Sequence, residues 1–210
     1  MRGFLNSTNA NTDFDAQSFL IESLINKIST LTLVRVMAVT NAGGVSPVGS
    51  VDIQPLVNMT DGDGINYPHG TIYKCPYFRL QGGASAIIID PKVGDIGIAL
   101  FADKDISSVI ANKTQANPQS SPGSHRRFSM SDGLYIGGVL NGTPTQYIQF
   151  LNNRINVVAP KGVHINSEAT VNASLHVTGS ITAGNGASGT FTTIDGLTVT
   201  VQDGIITNIY

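Results

Sequence analysis

Residues 155–181 read INVVAPKGVHINSEATVNASLHVTGSI. The odd positions give Ile155, Val157, Ala159, Lys161, Val163, Ile165, Ser167, Ala169, Val171, Ala173, Leu175, Val177, Gly179 and Ile181. The even positions are polar apart from Val158, Pro160 and Gly162. Side chains alternate across a strand, so the odd set shares one face. This parity holds for 27 residues, whereas ordinary strands run about 3 to 10. It returns at Leu197, Val199 and Val201. A lone strand of such length leaves an apolar stripe and two unpaired edges in water. The chain therefore needs copies of itself.

Three such segments wound about one axis, odd residues inward, bury every stripe and pair every edge. The expected inward core is Ile155, Val157, Val163, Ile165, Val171, Leu175, Val177, Ile181, Leu197, Val199 and Val201. Small residues at Ala159, Ala169, Ala173 and Gly179 suit a narrow centre. Threefold closure follows the preference of fibrous β-prisms, not any spacing in the sequence. Only Arg154, Lys161, Glu168, Asp195 and Asp203 carry charge among the 65 residues from 146 to 210. Such a surface suits a rigid fibre with neutral polar faces better than an isolated soluble strand.

Upstream, residues 31–142 alternate short β-rich runs with turns: LTLVRVMAVT, SPVGSVDIQPLV, TIYKCPYFRL, SAIIID, GIALFA and GLYIGGVL. Five or six short strands over this length suit a small, partly closed OB-like barrel. The polar stretches 59–70 and 112–124 would be its longer loops. Residues 1–30 hold one helix. Phe19, Leu20, Leu24, Ile28 and Leu31 recur at helical steps behind Thr12 and Asp13 as caps, and the face they make packs on the following strands or on a neighbouring copy. The expected fold is mainly β, divided into an N-terminal segment 1–30, a barrel 31–142 and an intertwined trimeric β-helix or β-prism shaft 143–210.

Composition narrows the function classes. Charged residues make up 12% of the 210, about half the roughly 25% usual in globular domains. Thr, Ser and Asn fill the difference with 19, 18 and 17 residues, which favours strands and turns over a helical bundle. A net charge of −2 and a pI near 6.0 lack the basic footprint of a nucleic-acid binder. The one cysteine, Cys75, cannot form an intrachain disulfide. No window of about 18 apolar residues occurs, and the N-terminus lacks the apolar centre of a signal peptide. Folding in a cytoplasm is expected.

The β-domain resembles the central membrane-piercing spikes of contractile phage tails. The matching stretches are LVRVMAVTNAGGVSPVGSVDIQPLV, KCPYFRL, PKVGDIGIALFADKDIS and HRRFSMSDGLYIGG; the terminal QDGIITNIY is similar to the ends of many tail fibre and spike chains. The likeness covers about residues 33–140 by motif and 146–210 by architecture. It implies a homotrimer carried in the virion baseplate and assembled in the host cytoplasm. Such a homotrimer attaches to a hub protein and crosses the host outer membrane transiently when the sheath contracts. Many spikes of this type end in a His-X-His pair that binds iron at the apex. This chain has His69, His125, His164 and His176, none in that spacing. The tip is then closed by Ile205, Ile206, Ile209 and Tyr210, or these residues dock a small capping protein.

Chemistry-bearing motifs are sparse. Glycoside hydrolysis needs two carboxylates flanking a cleft, and the only glutamates are Glu22 and Glu168, both expected on solvated faces. His125, Ser129, Ser131 and Asp132 hold triad residue types on one short stretch, without an elbow to orient them. Asp61-Gly62-Asp63-Gly64 lacks the EF-hand pattern and reads as a turn. Arg126-Arg127-Phe128 is a basic-aromatic cluster, more in keeping with pairing to an acidic residue at a subunit contact or an exit from the barrel toward the shaft than with stacking on nucleic acid. No catalytic residue, metal or cofactor is expected. The rival readings are a receptor-binding tail fibre, which would end in a globular head that this sequence is not expected to carry, and an OB-type nucleic-acid binder.

Overall fold

The computed structural model describes residues 13–40, 44–45, 49–61, 63–112 and 119–210. Thr12, residues 41–43 and 46–48, Gly62 and residues 113–118 of the expected 112–124 loop lie outside the described residues. The protein is mainly β with one N-terminal helix and a curled sheet. It forms two compact units, Met1–Pro144 and Thr145–Tyr210.

In the first unit, α1 spans Asp13–Ile25. Asp13 and Asp15 in its first turn face the positive end of the helix dipole. The helix tightens at its end, where the Lys27 and Ile28 amides donate to the Leu24 and Ile25 carbonyls. Leu31, expected on the helical stripe, instead opens β1. The sheet captures the chain there: the Ser29 amide donates to the Phe128 carbonyl, and the Phe101 amide to the Thr30 carbonyl.

The strands follow as β1 (Leu31–Val39), β2 (Ser50–Pro55), β3 (Met59–Thr60), β4 (Asn66–Tyr67), β5 (Ile72–Pro76), β6 (Leu80–Gly82), β7 (Ser85–Ile87), β8 (Ile96–Phe101) and β9 (Gly133–Gly138), with a short α2 (Ser107–Ala111) between the last two. Five of them pair in the order β5-β2-β1-β8-β9. The two outer strands then approach one another: Tyr77 bridges Tyr135 in parallel, and the Phe78 amide donates to the Tyr135 carbonyl at 2.7 Å. The sheet is thus curled around a core of Val34, Val36, Val51, Ile53, Cys75, Tyr77, Ala99, Phe101 and Tyr135. Alternation puts these residues inside, as in β2, where Val51, Ile53 and Pro55 are buried and the residues between them less so. The stretch 59–70, expected as a plain loop, holds the small β3–β4 hairpin. Its turn is tied by Asp61 Oδ1, which accepts from the Asp63 and Ile65 amides.

Two ionisable groups sit in this core. Burial, helped by Asp52, pushes the Cys75 thiol up to about 11. Burial and then Asp95 push the Tyr135 hydroxyl up to about 12. Both are neutral when folded and release their protons at lower pH when unfolded. Their contribution is therefore complete below the ordinary thiol value of 9.0 and is lost as pH rises through the folded values. At about 1.4 kcal/mol per pKa unit, the Cys75 shift amounts to about 3 kcal/mol. Urea midpoints followed by circular dichroism are expected to fall steadily above pH 9, and less steeply in Cys75→Ala. A midpoint flat from pH 8 to 11 contradicts this.

The second unit contains β10 (Tyr147–Phe150), β11 (Ile155–Val158), β12 (Gly189–Thr192), β13 (Thr198–Gln202) and β14 (Ile205–Ile209). β10 and β11 form a hairpin, and β12-β13-β14 a three-stranded antiparallel meander. Asp203 and Gly204, both at positive φ, make the tight β13–β14 turn. The 183–188 loop lies so close to this turn that a Cβ on Gly186 would collide with the Asp203 and Gly204 backbone.

Candidate self-association surface

Within residues 155–181, expected as one extended stripe, only Ile155–Val158 forms a strand of the isolated chain. A turn interrupts the run where the Gly162 amide, at φ 92°, donates to the Ala159 carbonyl across Pro160 and Lys161. Proline presets the first turn position and glycine tolerates the positive φ, so the local chemistry of Ala159–Gly162 overrides the alternation there. Lys161 stands in the turn, not in a continuous strand.

Beyond that turn lies the most distinctive surface of the molecule. Val163, Ile165, Val171, Leu175, Val177 and Ile181 are all exposed, Ile165 at 66% and Leu175 at 70%. Among the described residues, no backbone amide from Val163 to Ile181 donates to another backbone carbonyl. Polar backbone left unpaired beside apolar side chains is rare in a finished protein interior or sheet. This segment presents a row of backbone donors and acceptors beside exposed apolar groups, without a backbone partner among the described residues.

The remaining expected core residues lie on the meander. Val199 is buried between β12 and β14, paired with Phe191 and Ile209. Val201 is half-buried and Leu197 exposed. The expected tip residues form β14, which folds back along β13: Thr198 and Tyr210 exchange both backbone hydrogen bonds, at 2.7 and 3.1 Å. Ile206, Ile209 and Tyr210 remain exposed.

The polar chemistry of the first unit is internal bracing. Arg126, expected to meet an acidic residue at a subunit contact or to lead out of the barrel, instead finds two acidic partners within its own chain. Its guanidinium grips Asp132 through Nε at 3.2 Å and Nη2 at 3.1 Å, and reaches Asp105 at 3.0 Å. Asp105 also accepts from the Ser124 hydroxyl at 2.7 Å and the Ser107 amide at 2.9 Å. The Ser107 and Ser124 hydrogen bonds, then Arg126, hold its carboxyl well below the usual range. Asp132 further accepts from the Ile106 amide. The triad types around His125 therefore do not assemble, since Asp132 serves Arg126 and the Ser129 hydroxyl caps the Ser131 amide. Arg127 lies over the Phe128 ring at 5.8 Å.

A second brace was not anticipated from the sequence. Arg79 pairs with Asp90 at 2.6 Å, and Asp90 also accepts from the Tyr77 hydroxyl at 2.8 Å. Burial opposes the Asp90 charge, but the Arg79 and Tyr77 hydrogen bonds outweigh it and hold the carboxyl low. The partners are eleven residues apart in Arg79 and Asp90, and nothing in the local pattern marks them as a pair. Among the described residues no three His, Cys, Asp or Glu side chains gather in a metal-binding group, and no helix is long and apolar enough to cross a membrane. No family model and no curated protein sequence matches the chain.

Proposed function

We propose that this chain is the central spike of a contractile phage tail: a homotrimer whose barrel attaches to the baseplate hub and whose shaft punctures the host outer membrane. The observation that carries the reading is the Val163–Ile181 segment, apolar at alternate positions, exposed, and without backbone partners among the described residues. Two further copies wound around a common axis supply both the missing hydrogen bonds and the missing apolar contacts, and so turn a liability into a stiff prism.

The first unit supports the same reading. Its order β5-β2-β1-β8-β9, with the outer strands β5 and β9 meeting in parallel beyond Pro76, is compatible with a five-stranded OB-like barrel and supports that part of the reading. The mechanism is mechanical. Sheath contraction supplies the force, and the shaft transmits it because interchain hydrogen bonds and a dry core of Val, Ile, Leu and Ala resist buckling. Few charges on the shaft lower the cost of passing lipid. Ile205, Ile206, Ile209 and Tyr210 close the apex or seat a small capping protein.

Antibody against the chain is expected to label tail particles at the distal end of the baseplate, on the tail axis. Label along peripheral fibres would favour the receptor-binding alternative and overturn this one.

A further inference from the structure

Helix α1 turns its apolar side outward. Phe14 is 76% exposed and Leu24 65%, and Leu20, Ile21, Ile25 and Ile28 are exposed too. The half-buried residues of the helix are Asp15, Ser18, Glu22 and Ser23, and α1 buries none of its residues fully. The usual arrangement of a surface helix packs its apolar side on the core, and here that side stands in water instead.

The outward stripe has a period. Within α1, Phe14 and Ile21 stand seven residues apart with Gln17 and Leu24 at the intervening positions, the a and d spacing of a coiled coil, and Ile28 continues the spacing just past the helix end. Leu20 and Ile25 flank the stripe and widen it. Asp15 and Glu22 project elsewhere around the helix and Lys27 lies beyond its last residue, so within α1 the stripe carries no charge. A neutral face meets an identical face without like-charge repulsion and offers a charged partner nothing to pair with. A helix of 13 residues is marginal alone in water and needs packing to persist.

We infer that the occupant of this face is the same helix from the other copies, so that three α1 helices form a short parallel bundle in the spike. The inference rests on the trimeric reading, and it adds a second place where the chains hold one another. The seam brings Ile21 to Ile21 and Leu24 to Leu24.

Full-length Ile21→Cys, Leu24→Cys and Ala16→Cys variants, oxidised with copper phenanthroline, test it on non-reducing gels beside mass measurement by light scattering. The wild type is the control for Cys75, which is buried. The expected result is a covalent dimer band from Ile21→Cys or Leu24→Cys, at least tenfold stronger than from Ala16→Cys on the opposite side, in particles of three chains. Three-chain particles in which none of the variants crosslinks, or all crosslink equally, overturn the helix bundle and leave the shaft reading standing. A single-chain mass in the wild type overturns both.

Discussion

Val171→Lys is expected to abolish assembly at micromolar concentration, while Thr170→Lys, one residue away, leaves the particle mass unchanged. The two positions are adjacent and the substituted residue is the same, so the difference isolates which face looks inward. In the isolated chain Val171 is 56% exposed, and a lysine there costs the monomer little. In the proposed trimer the same position would face the axis. Three ammonium groups would then be brought together in an apolar centre with no counter-ion, at an effective penalty of several kcal/mol for each. The lost burial of three valines adds roughly 1.5 kcal/mol or more per chain. The effect should appear as a loss of the particle with the barrel still folded. Equal behaviour of the two variants contradicts the odd-inward register.

Gly97→Ala is expected to give the largest single-site loss of stability in the first unit. Gly97 lies in β8 opposite Gly138, where a register shift between Ile98 and Ala99 bends the β8–β9 ladder. A Cβ there would run into the Gly137 carbonyl oxygen, and would stand 2.5 Å from the Tyr135 hydroxyl and 2.6 Å from its ring. Neither neighbour yields easily. The carbonyl belongs to the ladder backbone, and Tyr135 is a fully packed core residue whose own carbonyl helps join β5 to β9. Overpacking of this kind costs up to about 3 kcal/mol, which lowers Tm by on the order of 10 °C for a domain of this size. Gly82→Ala, where the added methyl meets open space, is the control and is expected to be near neutral. A Gly97→Ala protein as stable as that control would show that the close approach of β8 to Tyr135 is misplaced.

The β-domain was legible because its strands are half-buried and therefore alternate. Val34 and Val36, Val51 and Ile53, Ala99 and Phe101 each carry the period of two that marks an inward face. The helix was legible in type but not in its end, since Leu31 fits a helical stripe and a strand equally well and only pairing with Leu100 decides between them. Braces such as Asp105–Arg126 and Arg79–Asp90 were hidden because tertiary folding brings their partners together, and no local periodicity records it. The shaft presents the opposite case. Its alternation is plain in the sequence, yet among the described residues one chain realises strand only in the β10–β11 hairpin and the short β12–β14 meander. Turn residues Pro160 and Gly162 break the extended run, and the backbone donors and acceptors of Val163–Ile181 have no backbone mate among the described residues. A pattern that one copy cannot satisfy is the reason to look for its partner in further copies.

The most direct test is the mass of the unmodified full-length chain by gel filtration coupled to light scattering, with a companion gel in SDS without heating. Self-association through the exposed shaft predicts a particle of about 66 kDa, three chains of 22.0 kDa each, that persists in SDS at room temperature. A 22 kDa monomer at the same concentration would contradict the account at its root.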